Sequence, residues 1–233
     1  ISACLVGSEM CIRDRYNDPT YVGYMYGNPD GTTFDEVHTN TTSSTIKTAV
    51  DNWYKTNIAD KGYSNYISNA VGFCGDRSFP AGVWGTNDNG DGINNNKSSF
   101  FGAYVRYVKN VAQFTCPEPS RDLYTTTDSS IGNKALTYPV GLITYDELVF
   151  AGMDNRHINK LSWAYSTQHY WTMSPSSFDA ANGVAFEWHL NSAGFLSYTW
   201  VTGSYGARPV INLKSDTLIT SGIGTSSDPF VIH

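Results

Sequence analysis

The sequence predicts an α+β domain, and three observations carry that prediction. Helical spacing of apolar residues is confined to the earlier part of the chain. From His169 onward, short strand patterns follow one another with turn residues between them. Within these, Val184 to Leu190 alternates cleanly: Val184, Phe186, Trp188 and Leu190 share one side, and Ala185, Glu187 and His189 the other. Such a strand is expected to turn one side to the core and the other to solvent. Helices early and strands late place the two kinds of element in separate layers of a mostly antiparallel architecture.

The elements follow in order. Tyr21 to Tyr26 is aromatic and β-branched and predicts a strand. Thr42 or Ser43 is positioned to cap a helix from Ser44 to Asn57, whose apolar residues Ile46, Val50, Trp53 and Tyr54 recur at helical spacing. Asp60 to Asn69 suggests a short second helix. Ser78 to Ser99, dense in Gly, Asn and Asp, predicts a loop. Phe100 to Val108 predicts a strand, as does Tyr138 to Ile143, which leads into a short helix from Tyr145 to Gly152. The later strands are His169 to Met173, ended by Pro175, then Val184 to Leu190, Phe195 to Val201, Ala207 to Leu213 and Phe230 to His233. No internal repeat or linker interrupts the chain.

Composition narrows the function. Of 233 residues, 15% are charged and 14% aromatic, with 16 Tyr and 6 Trp. Plentiful aromatics exclude a disordered chain. They suit a secreted binding protein, in which Tyr and Trp give contact area at low entropic cost. The net charge is −6, without clusters of Lys or Arg. Nucleic acid is therefore excluded as a partner. Cys74 and Cys116 fit either one disulfide of an exported protein or two buried thiols, and the extracellular character of the composition favours the disulfide.

The first fifteen residues stand apart. Leu5 to Asp14 resembles a translated sequencing-library adapter, so residues 1–15 are expected to be non-native and residues 16–233 to form the domain. On that reading there is room for a signal peptide, a membrane anchor or whole upstream domains ahead of residue 16.

The chemistry-bearing motifs are weak. Asn87 to Gly92 resembles the start of a calcium loop, but its twelfth position is Ser98 rather than a bidentate Glu, so a polar surface loop is expected. None of the five histidines has a partner at metal-ligand spacing. Asp35, Asp51, Asp146 and Glu147 are expected at caps or on the surface. Cys74 is a candidate nucleophile only if a histidine reaches it in space. Arg208, ahead of Pro209 and an apolar run, needs an internal acceptor or a route to solvent.

The most informative stretches are Tyr170 to Pro175, Gly206 to Leu213, and Gly222 to Thr225 with Asp228 to Ile232. Together with Trp53-Tyr54, Phe73 to Arg77, Cys116-Pro117 and Tyr138 to Glu147, they resemble bacterial surface proteins of C-type lectin fold, in the branch related to formylglycine-generating enzymes. The resemblance covers nearly all the chain after the adapter. It implies a C-type lectin-like domain, a mostly antiparallel sheet flanked by two helices. The strand at Tyr21 to Tyr26 would lie beside Phe230 to His233, and a Cys74–Cys116 disulfide would brace the irregular middle. Some members of the branch are variable proteins of diversity-generating retroelements, and often follow a prepilin-like N-terminus. On that pattern residues 161–205 are the expected variable region, in which most polar residues are reachable from an asparagine codon, while Glu187 and Trp200 are not. The chain lacks the calcium motifs of sugar-binding lectins, and no pair of its cysteines can be matched to the reactive pair of formylglycine-generating enzymes.

The expectation is a non-enzymatic module at the cell surface or outside the cell, binding a protein or surface ligand without metal or cofactor. The expected contacts are Ser176, Ser177, Phe178, Asp179, Ala181, Asn182, His189, Ser197, Tyr198, Thr199, Ser204 and Tyr205. Membrane or pilus anchoring would come from the missing N-terminal part. The alternatives are a structural pilus or surface subunit without a ligand face, and a formylglycine-generating-type enzyme using Cys74.

Overall fold

Hydroxyl residues between Thr41 and Thr45 turn the chain from strand into helix. A computed structural model shows how, describing residues 10–11, 23–28, 33–79, 98–179, 182, 184–224 and 227–232. In chain order the first elements are β1 (Met10–Cys11), β2 (Met25–Tyr26), α1 (Phe34–Val37), β3 (Thr42–Ser43) and α2 (Thr45–Tyr54). Thr42 and Ser43 are strand, so the cap is Ser44, whose side chain accepts from the Lys47 N–H. Helix α2 buries Ile46, Val50 and Tyr54 and runs on into a π-helical turn, Lys55–Ala59. The polar stretch after it forms only a 3-10 turn, Tyr63–Tyr66.

The middle comprises β4 (Phe73–Cys74), β5 (Ser99–Phe100), α3 (Gly102–Lys109), α4 (Pro119–Asp122), β6 (Leu123–Tyr124), β7 (Val140–Leu142) and α5 (Tyr145–Phe150). The expected strand from Phe100 to Val108 is therefore a helix after its first residue. Its apolar run has no polar face to betray the period, because Ala103, Tyr104, Val105 and Arg106 are all buried. Asn110, at φ 55°, closes α3 with its N–H on the carbonyls of Arg106 and Tyr107. Helix α5 begins with a capping box between Thr144 and Glu147.

The last part holds β8 (Tyr170–Asp179), β9 (Val184–Leu190), β10 (Leu196–Trp200), β11 (Ser204–Tyr205), β12 (Pro209–Ile211), β13 (Ile219–Ser221) and β14 (Val231–Ile232). The central sheet has the order β10-β9-β8-β5, antiparallel throughout. Pro175 does not end β8. The strand continues to Asp179, and the register shifts on either side of Pro175, an irregularity that accommodates a residue without an N–H. The expected pairing of the first and last strands is also corrected. β2 pairs with β3, and β14 pairs with β13, a strand that polar Thr220 and Ser221 hid. β1, inside the adapter-like segment, lies against β11.

The inner strands of the central sheet, β8 and β9, are buried on both sides. Trp171, Met173, Phe178, Ala185 and Val201 belong to one core with Tyr24, Ile46, Val50 and Tyr124. Tyr170, Trp188, Leu190 and Leu196 belong to a second, with residues of α3 and α5. Glu187 and His189, expected in solvent, are 6% and 4% exposed. The fold is thus α+β with mostly antiparallel pairing.

Buried charges join the layers. Arg77 Nε and the backbone N–H of Arg77 both reach the Asp122 carboxylate at 2.9 Å, and the guanidinium also donates to the Met25 carbonyl and Asn40 Oδ1. Arg106 bridges Asp146 and Asp76, each at 2.6 Å. Burial lowers the Arg106 pKa, but the two carboxylates outweigh it and hold the guanidinium above its ordinary value. Gly102 permits this approach, since a Cβ there would fall 2.3 Å from Asp76 Oδ2.

Candidate ligand-binding face

Among the described residues strand β10 is an edge strand, so its two sides and one backbone edge determine what the sheet can present. On one side, the Tyr198 ring meets Trp188 at 5.1 Å, Tyr104 at 5.6 Å, Phe186 at 5.9 Å and Tyr107 at 6.5 Å. These are edge-on contacts, the arrangement that aromatic quadrupoles favour. Burial pushes the Tyr104 hydroxyl up to about 12, helped by the nearby Tyr198. Trp200 follows on the same side, 51% exposed, and Tyr198 is 37% exposed. The result is an aromatic platform over a packed core.

On the other side, Ser197 lies opposite His189 and Thr199 opposite Glu187. Beyond them, the Tyr205 ring packs against His169, His189 and Trp171, each at 4.8 Å. His169 Nε2 is 3.1 Å from Ser192 Oγ. Burial, then the neighbouring His169, pushes the His189 pKa down to about 4. The Nδ1 atoms of His169 and His189 and the Trp171 Nε1 are buried without a hydrogen-bond partner among the described residues.

The expected contact residues divide accordingly. Tyr198, Ser204 and Asn182 are exposed, and Ser197, Thr199, Tyr205 and Asp179 are half-buried. Asn182 donates to Asp179 at 2.6 Å across the β8–β9 connection, where Ala181 lies outside the described residues. Ser176, Ser177 and Phe178 are inside the molecule, because β5 covers the edge of β8 at Phe100 and Ser99. His189 is likewise buried. These four side chains therefore lie beneath the surface on which they were expected. Trp200 was missed, although its alternation with Tyr198 along one strand placed it on the same side. Trp163 (60% exposed) and Leu161 (98%) were missed as well. They sit in a loop pinned by Arg208, which donates to the carbonyls of Ala164 and Trp163 and to the Tyr170 hydroxyl. Those are the internal acceptors that Arg208 requires.

Elsewhere, Cys74 is bonded to Cys116 with their Cα atoms 5.6 Å apart. Beside this disulfide lies a cavity of about 100 Å³, lined in part by Phe114, Asp76, Asp146 and Glu147. Asp146, expected at the surface, is buried against Arg106, and Glu147 accepts from Thr144 in its capping box. Asp51 is paired with Lys47 at 2.5 Å. Among the described residues, no group of three His, Cys, Asp or Glu is placed to hold a metal ion. The calcium-like motif from Asn87 to Gly92 lies outside the described residues. The chain matches no protein-family profile, no curated protein and no solved structure.

Proposed function

We propose that this chain is a non-enzymatic extracellular ligand-binding module of C-type lectin-like fold. Its contact surface is the side chains projecting from β10 and the turns around it, within a region, residues 161–205, that a retroelement diversifies. The observation that carries this reading is the pairing of opposites along β9 and β10. β9 is buried on both faces, while the next strand exposes Tyr198 and Trp200 with Ser197 and Thr199 behind them. Aromatic area with small hydroxyls on a rigid support is the composition of a paratope. Such a surface tolerates substitution, because the stabilising contacts lie one strand deeper. Cys74, the thiol that a formylglycine-generating-type enzyme requires, is tied up by Cys116. Recognition on this reading needs neither metal nor cofactor.

Deep amplicon sequencing of the 3′ half of the gene tests the reading. Codon changes at adenine-rich positions for Asn182, Ser197, Tyr198, Thr199, Ser204 and Tyr205 are expected, with Tyr170 to Phe178, Trp188 and Leu190 unchanged. A uniform window, or changes spread equally over buried codons, rejects diversification. Alanine at Tyr198, Thr199 and Tyr205 together should then weaken any recovered ligand at least tenfold, and unchanged affinity rejects the face itself.

A static structural subunit is the second reading. The observation favouring it is the β13–β14 hairpin, where Leu218, Ile219, Ile223 and Val231 are exposed apolar residues.

A further inference from the structure

The loop between α5 and β8 presents a surface of its own, and what it carries does not rest on the β10 face. From Arg156 to Trp163 the exposed side chains are Arg156, His157, Ile158, Lys160, Leu161 and Trp163. All of them are apolar or basic. Leu161 is almost wholly exposed, and Ile158 and Trp163 are each more than half exposed. Among the described residues no salt bridge engages Arg156 or Lys160. The nearest carboxylate in the chain, Asp154, is occupied: it accepts from the N–H groups of Arg156 and His157 and pairs with the His157 ring at 2.8 Å. The neighbouring turn from Asn191 to Phe195, whose Gly194 carbonyl takes the Asn159 N–H, carries no charge. The loop is therefore a basic, apolar patch on a chain of net charge −6.

The loop is held so that these side chains stay outside. Asn159 Oδ1 accepts from the N–H groups of Leu161 and Ser162, and its Nδ2 donates to the Gly152 carbonyl at 2.9 Å. Ser162 Oγ donates to the Ala151 carbonyl at 2.8 Å. The Ala164 carbonyl accepts from Arg208 at 2.7 Å and from the Tyr170 hydroxyl at 2.6 Å. The Arg208 guanidinium also lies against the Trp163 ring, 5.8 Å from its centroid. Tied to the end of α5 on one side and to β8 on the other, the loop keeps Ile158, Leu161 and Trp163 in water, where apolar surface gains by being covered.

We infer that this loop docks the domain on a lipid bilayer bearing anionic headgroups. Three features favour a membrane over a protein. Leu161 has almost no protein against it, so it stands out as a point that can enter a soft surface rather than as the wall of a groove. Trp163 beside Lys160 is the pairing that suits an interface: the indole settles at headgroup level, and a lysine stem lies along apolar surface with its ammonium in water. Arg156 and Lys160, free of carboxylates, match lipid phosphate. Insertion is shallow, at the boundary of headgroups and acyl chains, as for other surface-lying segments. The acidic remainder of the chain is repelled by the same surface, so the loop is the side that approaches it.

Co-sedimentation of the whole chain with vesicles tests this. Vesicles of equimolar phosphatidylcholine and phosphatidylglycerol should bind the chain, at least about tenfold more tightly than vesicles of phosphatidylcholine alone. Leu161→Ser should weaken that binding at least about tenfold, and Lys160→Gln about fivefold. Both residues are exposed, so both variants should melt with the wild type. Lipids brominated near the headgroup should quench tryptophan fluorescence in the wild type, and the quenching should be lost in Trp163→Phe. A wild type that stays in the supernatant with both kinds of vesicle overturns the inference and leaves the loop to a protein partner. Equal binding to neutral vesicles, undiminished binding by Leu161→Ser, or quenching that survives in Trp163→Phe overturns it too.

Discussion

His189 should make the fold sensitive to acid by an amount that its surroundings determine. It is 4% exposed, with the Tyr205, His169 and Trp171 rings 4.8, 5.7 and 5.9 Å away and Ser197 across the ladder. Glu187 lies two residues back on the same side, engaged in interactions of its own. Burial and the second histidine both oppose a proton, and the folded pKa falls from 6.5 to about 4. Between those values the unfolded chain binds a proton that the folded chain refuses, so stability falls as pH falls. The contribution is complete above about pH 6.5 and lost by about pH 4. At roughly 1.4 kcal/mol per unit it amounts to about 3 kcal/mol. Urea unfolding at pH 7 and pH 4 should be compared for wild type and His189→Gln. Protonation of carboxylates weakens both proteins alike and drops out of the comparison. The variant, whatever its stability at pH 7, should lose about 3 kcal/mol less on acidification. Equal losses in the two proteins would refute the assignment of acid sensitivity to this residue.

Three other perturbations follow from the buried framework. Asp122→Ala leaves Arg77 charged and fully buried, and should destabilise by about 3–5 kcal/mol in denaturant titration; a loss under about 1 kcal/mol would mean that Met25 and Asn40 suffice to hold the guanidinium. Gly102→Ala drives a methyl into the Asp76 carboxylate, and should lower the melting temperature and separate Asp76 from Arg106 in a crystal structure; an unchanged melting point would show that Asp76 can move at no cost. The double substitution of Cys74 and Cys116 by Ser opens a crosslink spanning 42 residues and should cost about 4 kcal/mol by loop entropy; retention of full stability would show the disulfide to be incidental.

What could be read from the chain, and what could not, divides along one physical line. Periodicity reports which residues are buried only where one side of an element meets water. Helix α2 does so, and Ile46, Val50 and Tyr54 marked it within a few residues of its ends. Helix α3 does not. Its first five residues are all buried, so the run from Phe100 to Val108 reads like a strand, and the one charged residue in that run, Arg106, is inside on two carboxylates. β9 shows the converse error. Its alternation is real, but it separates two cores rather than core from solvent, so Glu187 and His189 looked exposed. Ser176 and Ser177 were expected at the surface for the same reason, because small hydroxyls on a fully covered strand look like surface residues. Of the expected contacts that reach the surface, Ser197, Tyr198 and Thr199 lie on β10, which pairs on one side only among the described residues, and Asn182, Ser204 and Tyr205 lie outside the sheet's inner strands. Whether a strand has one neighbour or two is a property of pairing between distant segments, which local pattern does not encode. Hence Trp200, although visible in the sequence, gained meaning only when β10 proved to be an edge.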